Sequence, residues 1–160
     1  MIKIKIITLG KLKEKYLRDA SQEYLKRISA YAKTELVEIE PVKLPDDPSK
    51  TQIENALEAE ARLIMKKIDD RAFVTAMCIE GKQISSEELC ETVFEKVNAG
   101  VGTLIFIIGS SYGLHDEIKR RADLKLSFSK MTFPHQLFRI MLFEQIYRSF
   151  KINEGSKYHK

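Results

Sequence analysis

No apolar run in the 160-residue sequence approaches the roughly 20 residues that cross a bilayer, so no membrane-spanning helix is expected. The chain does not open like an export signal either, because Met1-Ile2-Lys3-Ile4-Lys5 alternates charged and apolar residues. Cysteine is scarce. Cys78 and Cys90 lack metal-ligand spacing, and without an export signal they are expected to be thiols rather than a disulfide. A cytoplasmic protein that holds no metal is the expectation. Internal repeats, low-complexity tracts and interdomain linkers are absent, so residues 1–160 should form one domain with a single substantial core. Two nucleotide signatures are missing as well: no Gly-Lys-Ser/Thr closes a Walker loop, and no G-x-G-x-x-G turn is present.

Hydrophobic residues make up 44% of the chain and charged residues 31%, the balance of an ordinary globular protein. The net charge of +4 favours a polyanionic partner only weakly. Its placement says more. Glu54, Glu58 and Glu60 sit mid-chain, whereas Lys119, Arg120, Arg121, Lys125, Lys130, Arg139, Arg148, Lys151, Lys157 and Lys160 crowd the end. A basic surface in the C-terminal third is expected.

Strand patterns at Ile2–Leu9, Glu35–Glu40, Phe73–Ile79, Thr103–Ile108 and Leu124–Phe128 alternate with helical spacing. The helices are expected over Lys13–Ala32, from Ser49 to about Ile68, from Ser85 to Asn98, over Asp116–Ala122, and from Pro134 to about Ile152. Ser49 with Gln52, and Ser85 with Glu88, carry capping-box spacing. Glu80-Gly81-Lys82 looks like a turn ending the third strand. Thr103–Ile108 is apolar throughout, as in a strand covered on both faces. Alternating strands and helices predict an α/β domain around a mainly parallel sheet flanked by helices. The last helix is apolar around most of its circumference, from Leu137 through Phe150, which favours burial against a second copy of the chain.

Chemistry concentrates between Ile107 and Lys160. Gly109-Ser110-Ser111-Tyr112-Gly113 matches G-x-S-x-G, and Asp123 followed by His135 or His159 would complete hydrolase chain order around Ser111. The chain is short for that fold and has no H-G-G-G-type oxyanion segment. Glycines at a strand's carboxyl end also let a ligand approach the backbone. In Ser127-Phe128-Ser129-Lys130-Met131-Thr132-Phe133-Pro134-His135, small polar residues alternate with apolar ones. Such a segment can offer backbone groups to a purine edge while Met131 and Phe133 pack on its faces; alternatively Thr132 merely caps the next helix. The terminal Tyr158-His159-Lys160 can stack a base, exchange a proton and hold a phosphate, or simply fray.

Together with Gly10-Lys11-Leu12-Lys13-Glu14-Lys15-Tyr16 and Ile79-Glu80-Gly81-Lys82, these segments resemble the RlmH family of ribosomal RNA methyltransferases, minimal members of the SPOUT (knotted) methyltransferases. The resemblance covers essentially the whole chain, and Leu126–His135 with the tail carries most of it. It implies a homodimer with a deep C-terminal trefoil knot. The implied activity is S-adenosyl-L-methionine-dependent methylation of N3 of a pseudouridine in the helix 69 loop of 23S rRNA, within the large subunit or the 70S ribosome. Cofactor residues by this correspondence are Met77, Gly109, Phe128, Ser129, Lys130, Met131, Thr132 and Phe133; Arg148, Tyr158 and His159 are the catalytic candidates. Two positions depart from the family pattern. Ser110 replaces a second glycine, a strain if its φ is positive, and Met77 stands where leucine is common. A serine hydrolase and a non-catalytic ribosome-binding protein are the rival readings.

Overall fold

The computed structural model describes residues 1–159, with side chains through residue 158; Lys160 and the His159 side chain lie outside the described residues. The elements run β1 (Lys3–Leu9), α1 (Lys15–Ser29), β2 (Lys33–Ile39), α2 (Lys50–Met65), β3 (Phe73–Gln83), α3 (Ser86–Asn98), β4 (Thr103–Ile108), α4 (Asp116–Arg121), β5 (Leu124–Ser127), α5 (His135–Asn153) and a terminal 3-10 turn (Lys157–His159). The five strands form one all-parallel sheet in the order β2-β1-β4-β3-β5. Parallel neighbours need crossover connections, and a helix supplies each one.

The helices divide between the two faces. On one, α1, α3 and α5 cover a core containing Ile28, Leu89, Val93, Leu142, Phe143, Ile146 and Phe150 against Ile4, Ile6, Leu104 and Phe106 of the sheet. On the other, Ala61 and Ile64 of α2 and Ile118 of α4 cover Ile7, Val74, Ala76, Ile105 and Ile107. β4 therefore sends side chains into both cores, which explains its unbroken apolar run.

Both capping boxes form. Ser49 Oγ accepts from Gln52 N at 3.1 Å while Gln52 Oε1 accepts from Ser49 N at 2.8 Å. Ser85 and Glu88 do the same at 3.1 and 2.7 Å. The start of α5 differs from the expected Thr132 cap. Pro134 is itself the N-cap residue, with φ −55° and no side-chain cap, so Thr132 does not serve. Buried Arg139 fixes this end of the helix instead. It pairs with Glu38 at 2.7 Å and donates to the Gly10 carbonyl at 2.8 Å. Cys78 and Cys90 are both free thiols.

The sequence expectation fails at Glu80-Gly81-Lys82, which is no turn. β3 continues through it to Gln83, but its register on β5 breaks: Leu126 pairs with Met77 and again with Lys82. Cys78, Ile79 and Glu80 bulge out of the ladder, while Gly81 lies directly against the β5 backbone. A Cβ on Gly81 would stand 2.8 Å from Leu126 N and C and from Lys125 C. None of these atoms can swing aside. Gly81→Ala should therefore destabilise the fold by about 1–3 kcal/mol, read as a lower urea midpoint with an unchanged slope. An unaltered midpoint would mean that β5 gives way freely.

Candidate functional site

The carboxyl ends of β3, β4 and β5 open onto one cavity of about 250 Å³. Met77, Cys78 and Ile79 of the bulged strand form one wall, Gly109–Ser111 and Gly113 another, and Phe128, Ser129, Met131, Thr132 and Phe133 a third. Each wall has a local cause. The β4–α4 turn is closed by a Gly113 N to Ser110 O hydrogen bond of 2.9 Å. A Cβ at Gly109 would stand 2.4 Å from the Gly113 carbonyl oxygen, so only glycine fits there. The β5–α5 loop locks itself: Ser127 Oγ donates to the Ser129 carbonyl, and Ser129 Oγ accepts from Met131 N, both at 3.0 Å. Those serines hold the loop while its apolar residues face the cavity.

Of the eight residues expected to hold a methyl donor, seven line this cavity. Lys130 does not; it is exposed on the loop's outer side. Among the described residues no non-glycine residue has a positive φ, so Ser110 carries none of the strain its departure from glycine suggested. Its hydroxyl has a use instead, hydrogen bonding to buried Glu60 of α2, which also accepts from Val42 N at 3.0 Å. His115 follows suit at the far end of the turn, its Nε2 lying 3.0 Å from Glu54 Oε1. Two carboxylates of α2 thus brace the turn.

A second, larger cavity of about 540 Å³ adjoins the first, sharing Leu126 and Phe128. Tyr24, Ser85, Ser86, Met141, Glu144 and Gln145 are among its lining residues. Here Glu144 is the hub. Arg148 Nε and Nη2 donate to its Oε1 at 2.9 and 2.6 Å, and the Tyr158 hydroxyl donates to its Oε2 at 2.9 Å. The Tyr24 hydroxyl also bonds to Glu144, and the Arg148 guanidinium lies 4.9 Å over the Tyr158 ring. Burial and the Glu144 carboxylate push the Tyr24 phenol up to about 12, and the same two causes raise Tyr158. Both phenols stay protonated and act as donors. Arg148 and Tyr158, both candidates from the sequence, are thus brought together. The His159 side chain lies outside the described residues.

The hydrolase arrangement does not assemble. Ser111 is exposed on its turn, and His135 lines the same cavity. Asp123, however, bonds to Val74 N at 2.8 Å, level with Ile105 of β4. That is four strand residues below Gly109, roughly 13 Å away at the usual strand rise. Among the described residues, no three His, Cys, Asp or Glu side chains converge as a metal site. No helix among them is long and apolar enough to cross a membrane. Sequence reasoning overlooked Cys78 and Ile79, hidden by the supposed turn, and Glu60 and Tyr24, whose partners are remote in sequence.

A family model described as "Predicted SPOUT methyltransferase" matches residues 2–159. The chain belongs to the SPOUT methyltransferases. It is 50% identical over 159 residues to "Ribosomal RNA large subunit methyltransferase H" of Streptococcus pneumoniae strain CGSP14, covering 99% of this chain and 100% of that protein. The protein of the same name from strain D39 / NCTC 7466 matches equally. Among solved structures, a "probable methyltransferase" from Bordetella pertussis Tohama I has a TM-score of 0.57 at 11% identity, over 92% of this chain and 93% of that one. A "probable methylase family protein" from Haemophilus influenzae Rd KW20 gives 0.53 at 17% identity, over 99% and 70%. These two likenesses concern the fold alone.

In this SPOUT methyltransferase the brace at Glu60 has a measurable signature. Burial, the dominant cause, raises its carboxyl pKa, so the folded chain holds the proton more tightly than the unfolded chain. Its contribution is complete below the unfolded pKa and is lost as pH rises through the folded one. Glu60→Gln has no such proton. Urea midpoints from about pH 4 to about pH 8 should show wild type losing ground to Glu60→Gln as pH climbs. A difference constant across that range would show that Glu60 titrates alike in both states.

Proposed function

We propose that this chain transfers the methyl group of S-adenosyl-L-methionine to N3 of a pseudouridine in the helix 69 loop of 23S rRNA, as a cytoplasmic homodimer. The observation carrying this reading is the convergence of Met77, Gly109 and the Phe128–Phe133 loop on one cavity beside the Glu144–Arg148–Tyr158 cluster. The 50%-identical relatives named for a ribosomal RNA large subunit methyltransferase support the substrate class.

The cavity walls suit the cofactor. They offer apolar faces at Met77, Phe128, Met131 and Phe133, small hydroxyls, and a glycine turn whose backbone a ligand can approach. Among the described residues, no lysine or arginine lines the cavity, which fits an adenine and a sulfonium better than a phosphate chain. When bound, the cofactor supplies an electrophilic methyl group. Everything else falls to the chain. Met77, Gly109, Phe128, Ser129, Met131, Thr132 and Phe133 bind and orient, with Lys130 at the rim. The acceptor N3–H is a weakly acidic imide whose nitrogen gains negative charge as its proton leaves. Arg148, aimed by Glu144, is the group to stabilise that charge. Tyr158, held protonated with its single O–H on Glu144, helps to aim that carboxylate and Arg148 rather than taking the base's proton. His159 remains the candidate for moving the proton, on the resemblance alone.

The homodimer has support in α5. The single chain buries Leu142, Phe143, Ile146 and Phe150 but leaves Leu137 exposed and Ile140 and Met141 only half-covered beside the larger cavity. The reading also includes the family's threaded C-terminal segment.

Methyl-labelled cofactor should be incubated with protein-free 23S rRNA, isolated 50S subunits and 70S ribosomes from a strain lacking this modification. Label is expected in 23S rRNA from at least one particle, and no transfer to any of the three sinks the reading. Arg148→Ala should lower turnover about 100-fold or more while calorimetry still shows cofactor binding. Ser111→Ala should remain active; its complete loss, with fold and cofactor binding intact, would revive the hydrolase. Ribosome association without any heat of cofactor binding would mark a non-catalytic binder.

A further inference from the structure

The cations of the C-terminal third are less available than their number suggests. Lys119 pairs with Glu80, Arg121 with Asp123, Arg139 with Glu38, Arg148 with Glu144 and Lys151 with Glu154. The opposite holds near the other end of the chain. Between Gly10 and Arg18, four cations (Lys11, Lys13, Lys15 and Arg18) accompany a single anion, Glu14. Lys15 is held by Asp19 at 2.6 Å, but neither Lys11 nor Lys13 forms an ion pair among the described residues. Tyr16, in the same stretch, is 69% exposed.

This stretch is fixed, not loose. Gly10 N donates to Ile39 O at 2.7 Å, and the Gly10 carbonyl accepts from buried Arg139. Leu12 is buried, which turns its neighbours Lys11 and Lys13 outward. Lys13 N donates to Gln136 Oε1 at 2.9 Å, and the Lys13 carbonyl accepts from Arg18 Nη1. Both α5 anchors, Gln136 and Arg139, belong to the opening of the helix whose His135 and Phe138 line the smaller cavity. A rigid edge with two unpaired ammonium groups and an exposed phenol ring therefore stands beside the cavity mouth.

We propose that Lys11, Lys13 and Tyr16 form an RNA-docking edge that seats the substrate loop at the cavity, the ammoniums on phosphates and the Tyr16 ring against an unstacked base. The inference rests on the rRNA reading above and adds the surface that delivers the acceptor. The chemistry matches what looped RNA offers: a phosphate backbone for point charges, and splayed bases for an aromatic face. An exposed ring on a braced loop gains little from its own fold, and base stacking would cover it.

Binding to 70S ribosomes and 50S subunits lacking the modification should be measured across a salt series for three variants, with cofactor affinity measured in parallel. Lys11→Ala/Lys13→Ala should weaken binding about tenfold near physiological salt and reduce the log–log salt slope by about 1.5. Tyr16→Ala should weaken it at least about fivefold and leave the slope unchanged. Lys66→Ala/Lys67→Ala removes equal charge at the far end of α2 and should bind like wild type. All three should bind the cofactor normally. Equal weakening in the loop and control double variants would overturn the proposal, since net charge alone would explain it. Weaker binding of the loop double variant at an unchanged salt slope would also overturn it, pointing to a ribosomal protein contact. Should wild type neither bind nor methylate any particle, the rRNA reading itself fails, and this inference with it.

Discussion

Leu126 pairs with two residues of β3, Met77 and Lys82, and the site depends on that doubled register. A regular parallel strand would carry Cys78 and Ile79 straight on beside β5 and close the space above Met77. Because Gly81 lets β5 press against its backbone, the intervening residues are displaced, and Cys78 and Ile79 become a cavity wall. The same contact fixes where β5 ends, and so where the Ser127–Phe133 loop begins. Two close backbone approaches, at Gly81 and at Gly109, set the spacing of all three walls. The cavity is shaped by main chain, and its side chains are largely apolar or small.

The neighbouring cluster is built on the opposite plan. Glu144 gathers one guanidinium and two phenols, so its geometry is ionic and directional. Being partly buried, this carboxylate gains from every donor it collects, and the phenols are held neutral in return. A neutral phenol bonded to a carboxylate is a poor proton acceptor, and the single O–H of Tyr158 is already given to Glu144. Leu126 and Phe128 separate the two regions by little more than one layer of side chains.

Most of the fold was legible because its signals are local. Strand and helix order, both capping boxes and the doubly covered β4 depend on residues within a few positions of one another. What escaped depends on distant pairings. Glu80-Gly81-Lys82 has turn composition, and only β5 against it reveals a bulge. Glu60 looked like one of several surface acids on α2, yet it is buried under the Ser110 turn. Ser110 looked like a strained replacement for glycine, and the hydrogen bond that makes a serine useful there comes from another helix. The cavity residues themselves were found through family resemblance; on pattern alone, the Ser127–His135 segment would have passed for a strand end and a cap.

Charge shows why counting is a poor guide to an interface. The final third holds ten of the 27 cations with few acids between them, and the sequence makes it the obvious surface for RNA. Folding pairs five of those cations with acids, two of them, Glu38 and Glu80, drawn from outside that third. An ammonium already neutralised at close range adds little to the field that a phosphate meets, whereas an unpaired one keeps its full share. The β1–α1 loop has fewer charges but leaves Lys11 and Lys13 unpaired, and it is tied by Arg139 and Gln136 to the helix that borders the proposed cofactor pocket. Arg139 is the telling residue, since burying a guanidinium is costly unless it is fully paired. Here one buried cation is satisfied by Glu38 and by the Gly10 carbonyl, and that bond holds the exposed cations of the loop in position.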